Sequence, residues 1–311
     1  MNCRIVFIVG PTAVGKTELA IELAKELNGE IISADSMQIY QFMPIGSAQP
    51  TKEQQAEVMH HMIDFVDPKS DYNVAMYQQD ARSCISSVMS RGKLPIVCGG
   101  TGLYINSLLY YYSFTPAEYD YDYRKSLEDY AQQQGNDALH QKLATVDRKS
   151  ADNIHPNNTK RIIRALEVYR MTGKPFSSYQ DSTSHYYNGT CIIGLDSDRS
   201  DLYAKIEERV DKMIALGLVD EVRNLLEYGC DLSHKSMQGL GYKELIEHIQ
   251  GNVGFEIAVD HIKANTRRFA KRQLTWFRRI AGIHWLNSGL KGLNDDVFTK
   301  TINIIGNYSF H

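Results

Sequence analysis

The feature that most constrains the fold is the glycine-rich stretch Gly10-Pro11-Thr12-Ala13-Val14-Gly15-Lys16-Thr17. It follows an apolar run at 5–9 that predicts a buried strand, and it opens a helical pattern with Leu19, Leu23 and Leu27 on one face. A strand, a G-x4-G-K-T sequence and a helix, in this order, are the context of a phosphate-binding P-loop. The sequence therefore predicts a P-loop at the start of an α/β domain.

The chemistry of this loop indicates a polyphosphate ligand. Its glycines allow several backbone N–H groups to point at one anion, and the helix N-terminus adds a partial positive charge. Lys16 supplies a full positive charge, and the hydroxyl of Thr17 is a suitable ligand for Mg²⁺. The loop alone does not specify which polyphosphate is bound or what reaction it undergoes.

The pattern along the chain predicts the fold class. Short apolar runs at 30–33, 94–98 and 191–195 alternate with helical segments, which indicates a parallel sheet covered by helices on both faces. The stretch 115–190 is rich in Tyr, Gln, Asn and Asp and contains no strong strand. We expect a P-loop NTPase-like core formed by residues 1–114 and 191–311, with a helical insertion domain at 115–190.

Composition excludes several classes of protein. No apolar run approaches the roughly 18 residues that a membrane span needs, and the chain enters its first strand without a signal-like segment. Its five cysteines are scattered without a C-x-x-C pair, so we expect reduced thiols in a cytoplasmic protein. The adjacent His60 and His61 would point to different sides of a helix or strand, which argues against a shared metal ion.

Two polar positions follow predicted strand ends. Asp35 comes directly after the run at 30–33, and Thr101 lies in the glycine turn after the run at 94–98. Because ligands of parallel sheets bind at the carboxyl ends of the strands, both side chains should face the ligand of the P-loop. Asp35 could bind a ribose, ligate Mg²⁺, act as a general base or cap the next helix, and Ser36 and Gln38 could bind a planar heterocycle.

One arginine in the C-terminal half is a candidate diphosphate ligand. Arg223 lies next to Val222 on a predicted helix whose apolar stripe also includes Leu218 and Leu225. Because Arg223 falls off that stripe, it is either a solvated side chain or one that reaches into the site to bind a diphosphate.

A basic segment at 263–279 indicates an anionic partner. It contains seven Lys or Arg residues and no acid, whereas the chain as a whole carries −3, so the rest of the chain carries −10. Helical spacing places Arg268, Arg272 and Arg279 on one side of this segment. A face of one sign on an acidic protein is typical of phosphate binding, and Lys160, Arg161 and Arg164 belong to a second basic helix. Together these features favour a large nucleic-acid substrate.

Taken together, these motifs resemble one known family, the tRNA dimethylallyltransferases, in their bacterial form. The resemblance runs through nearly the whole chain and rests on GPTAVGKT, ADSMQIY, HHMIDFVDP, VCGGTGLYI, IHPNNTKRIIRALEVYRMTGKP, EVR, GLGYKEL and KRQLTWFRR. Lys160 departs from the pattern because relatives often have Gln there. Rival interpretations are an adenylate isopentenyltransferase, a nucleotide kinase and a P-loop RNA-binding module without a catalytic base.

The resemblance implies transfer of a dimethylallyl group from dimethylallyl diphosphate to N6 of adenosine 37, beside the anticodon of tRNA. The P-loop and Arg223 would then bind the diphosphate leaving group, with Mg²⁺ on Thr17 as the cofactor. Asp35 would remove the proton from N6 with help from Thr101, and Lys16 and Arg223 would complete the catalytic set.

We expect a monomer without membrane attachment. The resemblance also implies a set of contacts with the tRNA anticodon stem-loop. These residues are Asp35, Ser36, Met37, Gln38, Thr101, Tyr123, Thr159, Lys160, Arg161, Ile162, Ile163, Arg164, Lys243, Arg268, Lys271 and Arg272.

Overall fold

The structure is a computed structural model, and it describes residues 4–111, 114, 120–179, 185–289 and 295–308. The chain divides into two compact units. The first unit combines Met1–Leu109 with Tyr187–His311, and the second is Tyr110–Tyr186. The predicted insertion at 115–190 covers nearly the same stretch as the second unit and begins and ends a few residues later.

The first unit is built on one parallel sheet. Its six strands stand in the order β3-β2-β4-β1-β5-β6 and pair in parallel throughout. This arrangement places β1 in the interior of the sheet, with β4 and β2 on one side and β5 and β6 on the other. The strands are β1 (Ile5–Val9), β2 (Gly29–Ser33), β3 (His60–His61), β4 (Leu94–Gly99), β5 (Thr190–Asp196) and β6 (Ile283–Asn287).

Helices cover the sheet of the first unit. Helix α1 follows β1 directly through the P-loop, and the apolar side chains of α1 pack on the sheet together with those of β1, β4 and β5. The helices of this unit are α1 (Lys16–Glu26), α2 (Lys52–Glu57), α3 (Val74–Ser90), α4 (Gly102–Leu109), α9 (Arg199–Ala215), α10 (Leu218–Glu227), α11 (Tyr242–Ile249), α12 (Phe255–Phe277) and α13 (Asp295–Asn307).

The second unit is helical. It contains α5 (Tyr121–Gln134), α6 (Asn136–Val146), α7 (Arg148–Asn153) and α8 (Thr159–Thr172). Its small apolar core includes Leu127, Leu139 and Leu143. Helix α8 also buries Glu167, whose carboxylate pairs with Arg124 at 2.8 Å and Arg164 at 2.7 Å. A buried carboxylate requires such partners because desolvation of an unpaired charge is costly.

The predicted parallel α/β fold is confirmed. All four predicted strands are present and buried over most of their length, because a strand covered on both faces reads as a continuous apolar run. Two edge strands were not predicted. The strand β3 has only two residues, and β6 is half-exposed, so neither produces a long apolar run.

The described residues agree with the composition in two further respects. None of their helices is both long enough and apolar enough to span a bilayer. Cys84, Cys98, Cys191 and Cys230 are free thiols, whereas Cys3 lies outside the described residues.

Candidate active site at the carboxyl ends of the strands

The P-loop connects β1 to α1. Gly15 is the N-cap of α1 with φ of 95°, a left-handed conformation that favours glycine. The Nζ of Lys16 folds back over the loop and donates a hydrogen bond to the carbonyl of Pro11 at 2.6 Å. Burial of this ammonium lowers the pKa of Lys16 to about 8, although the nearby carboxylate of Asp35 opposes the shift. The loop therefore presents a desolvated cation that an anion would stabilise.

The ends of β2 and β4 bring Asp35 and Thr101 together, as predicted. The Thr101 hydroxyl accepts a hydrogen bond from the backbone N–H of Ser36 at 3.0 Å, and the Thr101 N–H donates to the carbonyl of Ala34 at 3.1 Å. The Oδ1 of Asp35 accepts from the N–H of Met37 at 2.9 Å. Among the described residues, the second carboxylate oxygen of Asp35 has no hydrogen-bond partner. It is thus available to a ligand.

Arg209 is a site residue that sequence reasoning missed. It lies on α9 and lines the same cavity as Lys16 and Asp35. Burial lowers the pKa of Arg209, and the same guanidinium lowers the pKa of Lys16, so the two cations act on each other across the site. On α9 the buried positions are Leu202, Ile206 and Val210, and Arg209 borders this stripe. A cation at the edge of an inward-facing stripe was the signal that could have identified it.

Two cavities meet at the P-loop. The larger one, of about 1150 Å³, is lined by the loop, by the segment after β2 and by α9. The smaller one, of about 80 Å³, includes Asp35 and the glycine turn that ends β4. Both are lined by Lys16, Thr17 and Arg209. A ligand bound by these three residues would have open space on one side and the Asp35 carboxylate on the other.

The segment after β2 is fixed by its own side chains. The amide of Gln38 accepts a hydrogen bond from the Ser33 hydroxyl at 2.8 Å and donates to the carbonyl of Ala48 at 3.0 Å. The thioether of Met37 packs against Gly239. Gln38 is therefore engaged within the protein, and it also lines the smaller cavity.

The placement expected for Arg223 is wrong. Its side chain is 54% exposed, forms an ion pair with Asp220 at 2.9 Å and lines neither cavity of the site. The reason is the orientation of α10, which buries Leu218, Val222 and Leu225 and leaves Arg223 facing solvent. Arg209 stands in the position that was expected for Arg223.

The buried member of the EVR motif is Glu221. Its carboxylate accepts hydrogen bonds from the N–H groups of Ile45 at 2.7 Å and Gly46 at 2.9 Å, and from the Tyr242 hydroxyl at 2.7 Å. Burial raises the pKa of Glu221, and these donors oppose that shift. The motif thus anchors the loop that carries Ser47 and Pro50 into the smaller cavity.

The cations of the basic segment at 263–279, most of which belongs to α12, fall into two groups: those in ion pairs, and those on a surface called here the free face. Lys263, Arg267 and Arg278 pair with Asp211, Glu207 and Asp196 at 2.6, 2.7 and 3.1 Å, respectively. Four other cations are exposed and have no acidic partner within the part of the chain that the structure describes. This free face consists of Arg268, Lys271 and Arg272 on α12 and of Arg279, two residues beyond the end of the helix. The predicted contacts Arg268, Lys271 and Arg272 thus lie together on one surface, whereas Lys243 lies on α11.

In the second unit the predicted RNA contacts separate into two groups. Lys160 and Arg161 are exposed at the start of α8, and Thr159 is partly exposed. The side chains of Ile162 and Ile163 are buried in the core of the unit, so a contact of these two residues with RNA would have to be made by their backbone.

One basic and one aromatic side chain among the predicted RNA contacts already interact with other residues of this unit. Arg164 is bound to Glu167 at 2.7 Å. Tyr123 packs on the core under the guanidinium of Arg170, which lies 4.2 Å from the ring centroid. Their proposed contacts with RNA would therefore compete with these interactions.

The oxygen donors beside the P-loop fit Mg²⁺. No group of three His, Cys, Asp or Glu side chains that could bind a metal is present among the described residues. Thr17 and Asp35 both line the smaller cavity and supply hard oxygen donors. Because Mg²⁺ commonly retains waters and substrate phosphates as ligands, a hydroxyl beside a phosphate site fits this ion.

His60 and His61 have separate structural roles. The Nε2 of His61 lies 2.7 Å from the carboxylate of Glu30, and the Nδ1 of His60 donates to the carbonyl of Val58 at 2.8 Å. The two rings point to different partners, as the sequence predicts.

Comparison with family models identifies the relatives of this chain. A model described as IPP transferase matches residues 38–280, and one described as Isopentenyl transferase matches residues 3–65. The chain is 47% identical over 310 residues to the tRNA dimethylallyltransferase of Acetivibrio thermocellus, covering 99% of this chain and 97% of the relative. It is 51% identical over 284 residues to that of Pelotomaculum thermopropionicum, covering 91% and 90%.

Solved structures show the same similarity. The full-length tRNA isopentenylpyrophosphate transferase of Bacillus halodurans is 41% identical with a TM-score of 0.72, and the match covers 99% of this chain and 98% of that one. A eukaryotic dimethylallyltransferase acting on tRNA is 28% identical with a TM-score of 0.84, covering 98% of this chain and 79% of that one.

The contrast between the two arginines generates a binding prediction. We expect Arg209→Gln to weaken the binding of inorganic diphosphate about tenfold or more, since a hydrogen bond to a charged group contributes roughly 1.5–3 kcal/mol. Arg223→Gln is the matched control and should change the dissociation constant by less than about twofold, as for an exposed ion pair. Isothermal titration calorimetry measures both. An equal loss in the two variants would contradict the assignment of Arg209.

The lowered pKa of Lys16 generates a pH prediction. Because the anion binds the ammonium form, wild-type affinity for diphosphate should fall as the pH rises through about 8, by up to tenfold per unit. The diphosphate also titrates in this range. To remove that contribution, the dissociation constant of the wild type at each pH is divided by that of Lys16→Arg, whose guanidinium stays charged. A ratio that is constant between about pH 7 and about pH 9.5 would show that Lys16 does not titrate there.

Proposed function

Since this chain belongs to the IPP transferase family, we propose that it transfers a dimethylallyl group from dimethylallyl diphosphate to N6 of adenosine 37 in tRNA. The observation that carries the proposal is that one cavity is lined by a P-loop, a second cation on α9 and the carboxylate of Asp35. A nucleotide kinase shares the P-loop, but neither it nor a simple binding module accounts for the similarity over nearly the full chain.

The first part of the reaction is departure of diphosphate. The bond between C1 of the allyl group and the bridging oxygen breaks, and the oxygen leaves with the electron pair. Negative charge grows on the diphosphate, and the desolvated cations of Lys16 and Arg209 stabilise it together with the P-loop amides. Both cations line the cavity before the diphosphate binds, so the groups that stabilise the growing charge are already at the site.

The second part is capture of the allyl carbon. A bond forms between N6 and C1, and the proton of N6 moves to the free carboxylate oxygen of Asp35. Thr101 holds the backbone of Ser36 and so positions the turn that carries this base. Adenine N6 is a poor nucleophile because its lone pair is delocalised. Orientation at the carboxyl ends of β2 and β4 therefore supplies much of the rate.

The proposal includes Mg²⁺ as the cofactor. The hydroxyl of Thr17, together with the oxygens of the bound diphosphate, would hold the ion. When bound, Mg²⁺ neutralises part of the diphosphate charge and makes it a better leaving group.

The RNA partner is proposed from charge. The four exposed cations of the free face match a phosphate backbone, and Lys160 and Arg161 add charge on the surface of the second unit. Base flipping costs a few kcal/mol, which such backbone contacts would offset. We place the reaction in the cytoplasm because the substrate is tRNA.

Replacement of the base tests the proposed function. Asp35→Asn should reduce formation of N6-dimethylallyladenosine at least about a hundredfold, because general base catalysis contributes roughly 10²–10⁴. Its RNA dissociation constant should stay within about threefold of wild type, since shape and most contacts are retained. The product is measured by nucleoside digestion of unmodified tRNA after incubation with dimethylallyl diphosphate.

Asp71→Asn is the matched control for this experiment. Asp71 is exposed, pairs with Lys235 and lines neither cavity of the site, so turnover should be unchanged. Turnover by Asp35→Asn within tenfold of wild type would remove Asp35 as the base. Absence of the dimethylallyl nucleoside with the wild-type protein would reject the proposed function itself.

The free face of α12 generates a salt prediction. Each phosphate contact contributes roughly 0.7–0.9 to the slope of log K against log salt concentration, so Arg268→Ala with Arg272→Ala should reduce the slope by about 1.5. The matched control is Lys263→Ala with Arg267→Ala, because these two cations pair with Asp211 and Glu207. Fluorescence anisotropy with an anticodon stem-loop RNA gives both slopes. An unchanged slope in the first double variant would mean that RNA binds elsewhere.

A further inference from the structure

Helix α12 has a second specialised face, which points inward. We propose that Gln273 on this face is a positioning residue that links RNA binding on α12 to the affinity of the P-loop for diphosphate. The inference rests on the proposed function for the identity of the RNA ligand. It extends that function by naming the side chain through which one substrate prepares the site for the other.

The amide of Gln273 bridges the two loops that form the site. Its Oε1 accepts a hydrogen bond from the backbone N–H of Thr12 in the P-loop at 2.9 Å. Its Nε2 donates to the carbonyl of Gly100, at 2.9 Å, in the turn that carries Thr101. Gln273 is 5% exposed, so water does not substitute for these bonds in the folded protein. One planar amide thus sets the distance between the diphosphate loop and the turn beside the base.

The local packing is specific for this bridge. A Cβ at position 100 would clash with the Nε2 atom of Gln273, so this close approach requires glycine there. The indole of Trp276, three residues further along the same helix, packs over Gly102 at the start of α4. Helix α12 therefore contacts the catalytic turn at two successive points and contacts the P-loop at one.

The outward and inward faces are adjacent on one rigid element. Lys271 and Arg272 of the free face immediately precede Gln273 in a continuous helix of 23 residues, Phe255–Phe277. A displacement of α12 by RNA would be transmitted through the amide to Thr12. Lys16 and Arg209 need not move for this transmission to occur, because the amide of Gln273 acts on the backbone of the P-loop itself.

Thermodynamic linkage makes the proposal quantitative. If RNA tightens diphosphate binding by some factor, diphosphate must tighten RNA binding by the same factor. Couplings between two sites are commonly about 5–150-fold. A bridge of two buried hydrogen bonds is sufficient for a factor at the lower end of this range.

The experiment is a thermodynamic cycle of dissociation constants. Inorganic diphosphate with Mg²⁺ is titrated into the wild-type chain, with and without a saturating anticodon stem-loop RNA, and the titrations are repeated with Gln273→Met. Methionine preserves the length and volume of the side chain but lacks both hydrogen bonds. We expect at least about fivefold tighter diphosphate binding with RNA in the wild type and no change with RNA in the variant.

Two further variants separate coupling from stability. Gln78→Met is the matched control, because Gln78 also donates to a backbone carbonyl, that of Ser107, but lines neither cavity of the site. It should retain the full coupling factor. Gln273→Glu keeps the acceptor for Thr12 and removes the donor to Gly100, so it should lose the coupling even if Gln273→Met does not fold.

The outcomes distinguish failure of the Gln273 inference from failure of the proposed function. Full coupling in either folded Gln273 variant overturns the inference, and so does an absence of coupling in a wild-type protein that binds both ligands. A wild-type protein that binds no diphosphate or no RNA would instead overturn the proposed function.

Discussion

The pairing of three parallel strands is the constraint on which the site depends. Because β1 pairs with β4 and β4 with β2, their carboxyl ends emerge side by side at one edge of the sheet. The P-loop, Thr101 and Asp35 follow these ends within a few residues and therefore converge without a long connection. The N–H of Ala34 donates to the carbonyl of Cys98 at 2.8 Å, which extends the pairing beyond β2. A register shift of one residue would displace the base relative to the diphosphate loop.

The electrostatics of the converged site favour an anion that arrives or grows there. Lys16 and Arg209 line the same cavity, and burial disfavours the charged form of both. Like charges in a desolvated site are unfavourable until a counter-charge enters. A diphosphate supplies that counter-charge, and its charge increases as the allyl bond breaks. Lys16 and Arg209 would equally stabilise the polyphosphate of a kinase substrate. The type of reaction is therefore decided by the other functional group in their cavity. Here that group is the carboxylate of Asp35, and no second phosphate site is needed.

The sequence predicted the parts of the site that follow local rules. The P-loop has its own signature, and Asp35 and Thr101 follow apolar strands, so their edge of the sheet is implied by the parallel fold. Arg209 could not be placed in the same way. Its position depends on which face of α9 packs inward, and Arg223 satisfied a sequence motif while its helix turned it towards solvent. The same limit applies to Ile162 and Ile163, whose burial is a consequence of tertiary packing.

Helix α12 shows why a positively charged segment is more than an electrostatic surface. The cations of α12 and of the two residues that follow it are divided between ion pairs to α9 and β5 and a free face for phosphates. Because the ion pairs hold α12 in position, the amide of Gln273 can act as a spacer of fixed length between the P-loop and the turn that carries Thr101. Such a spacer has a chemical use in this reaction. An allylic diphosphate activated before the adenine arrives could react with water, and a loop whose affinity for diphosphate rises when RNA is bound would limit that loss. The division of charges on α12 and the bridge of Gln273 are thus parts of one arrangement.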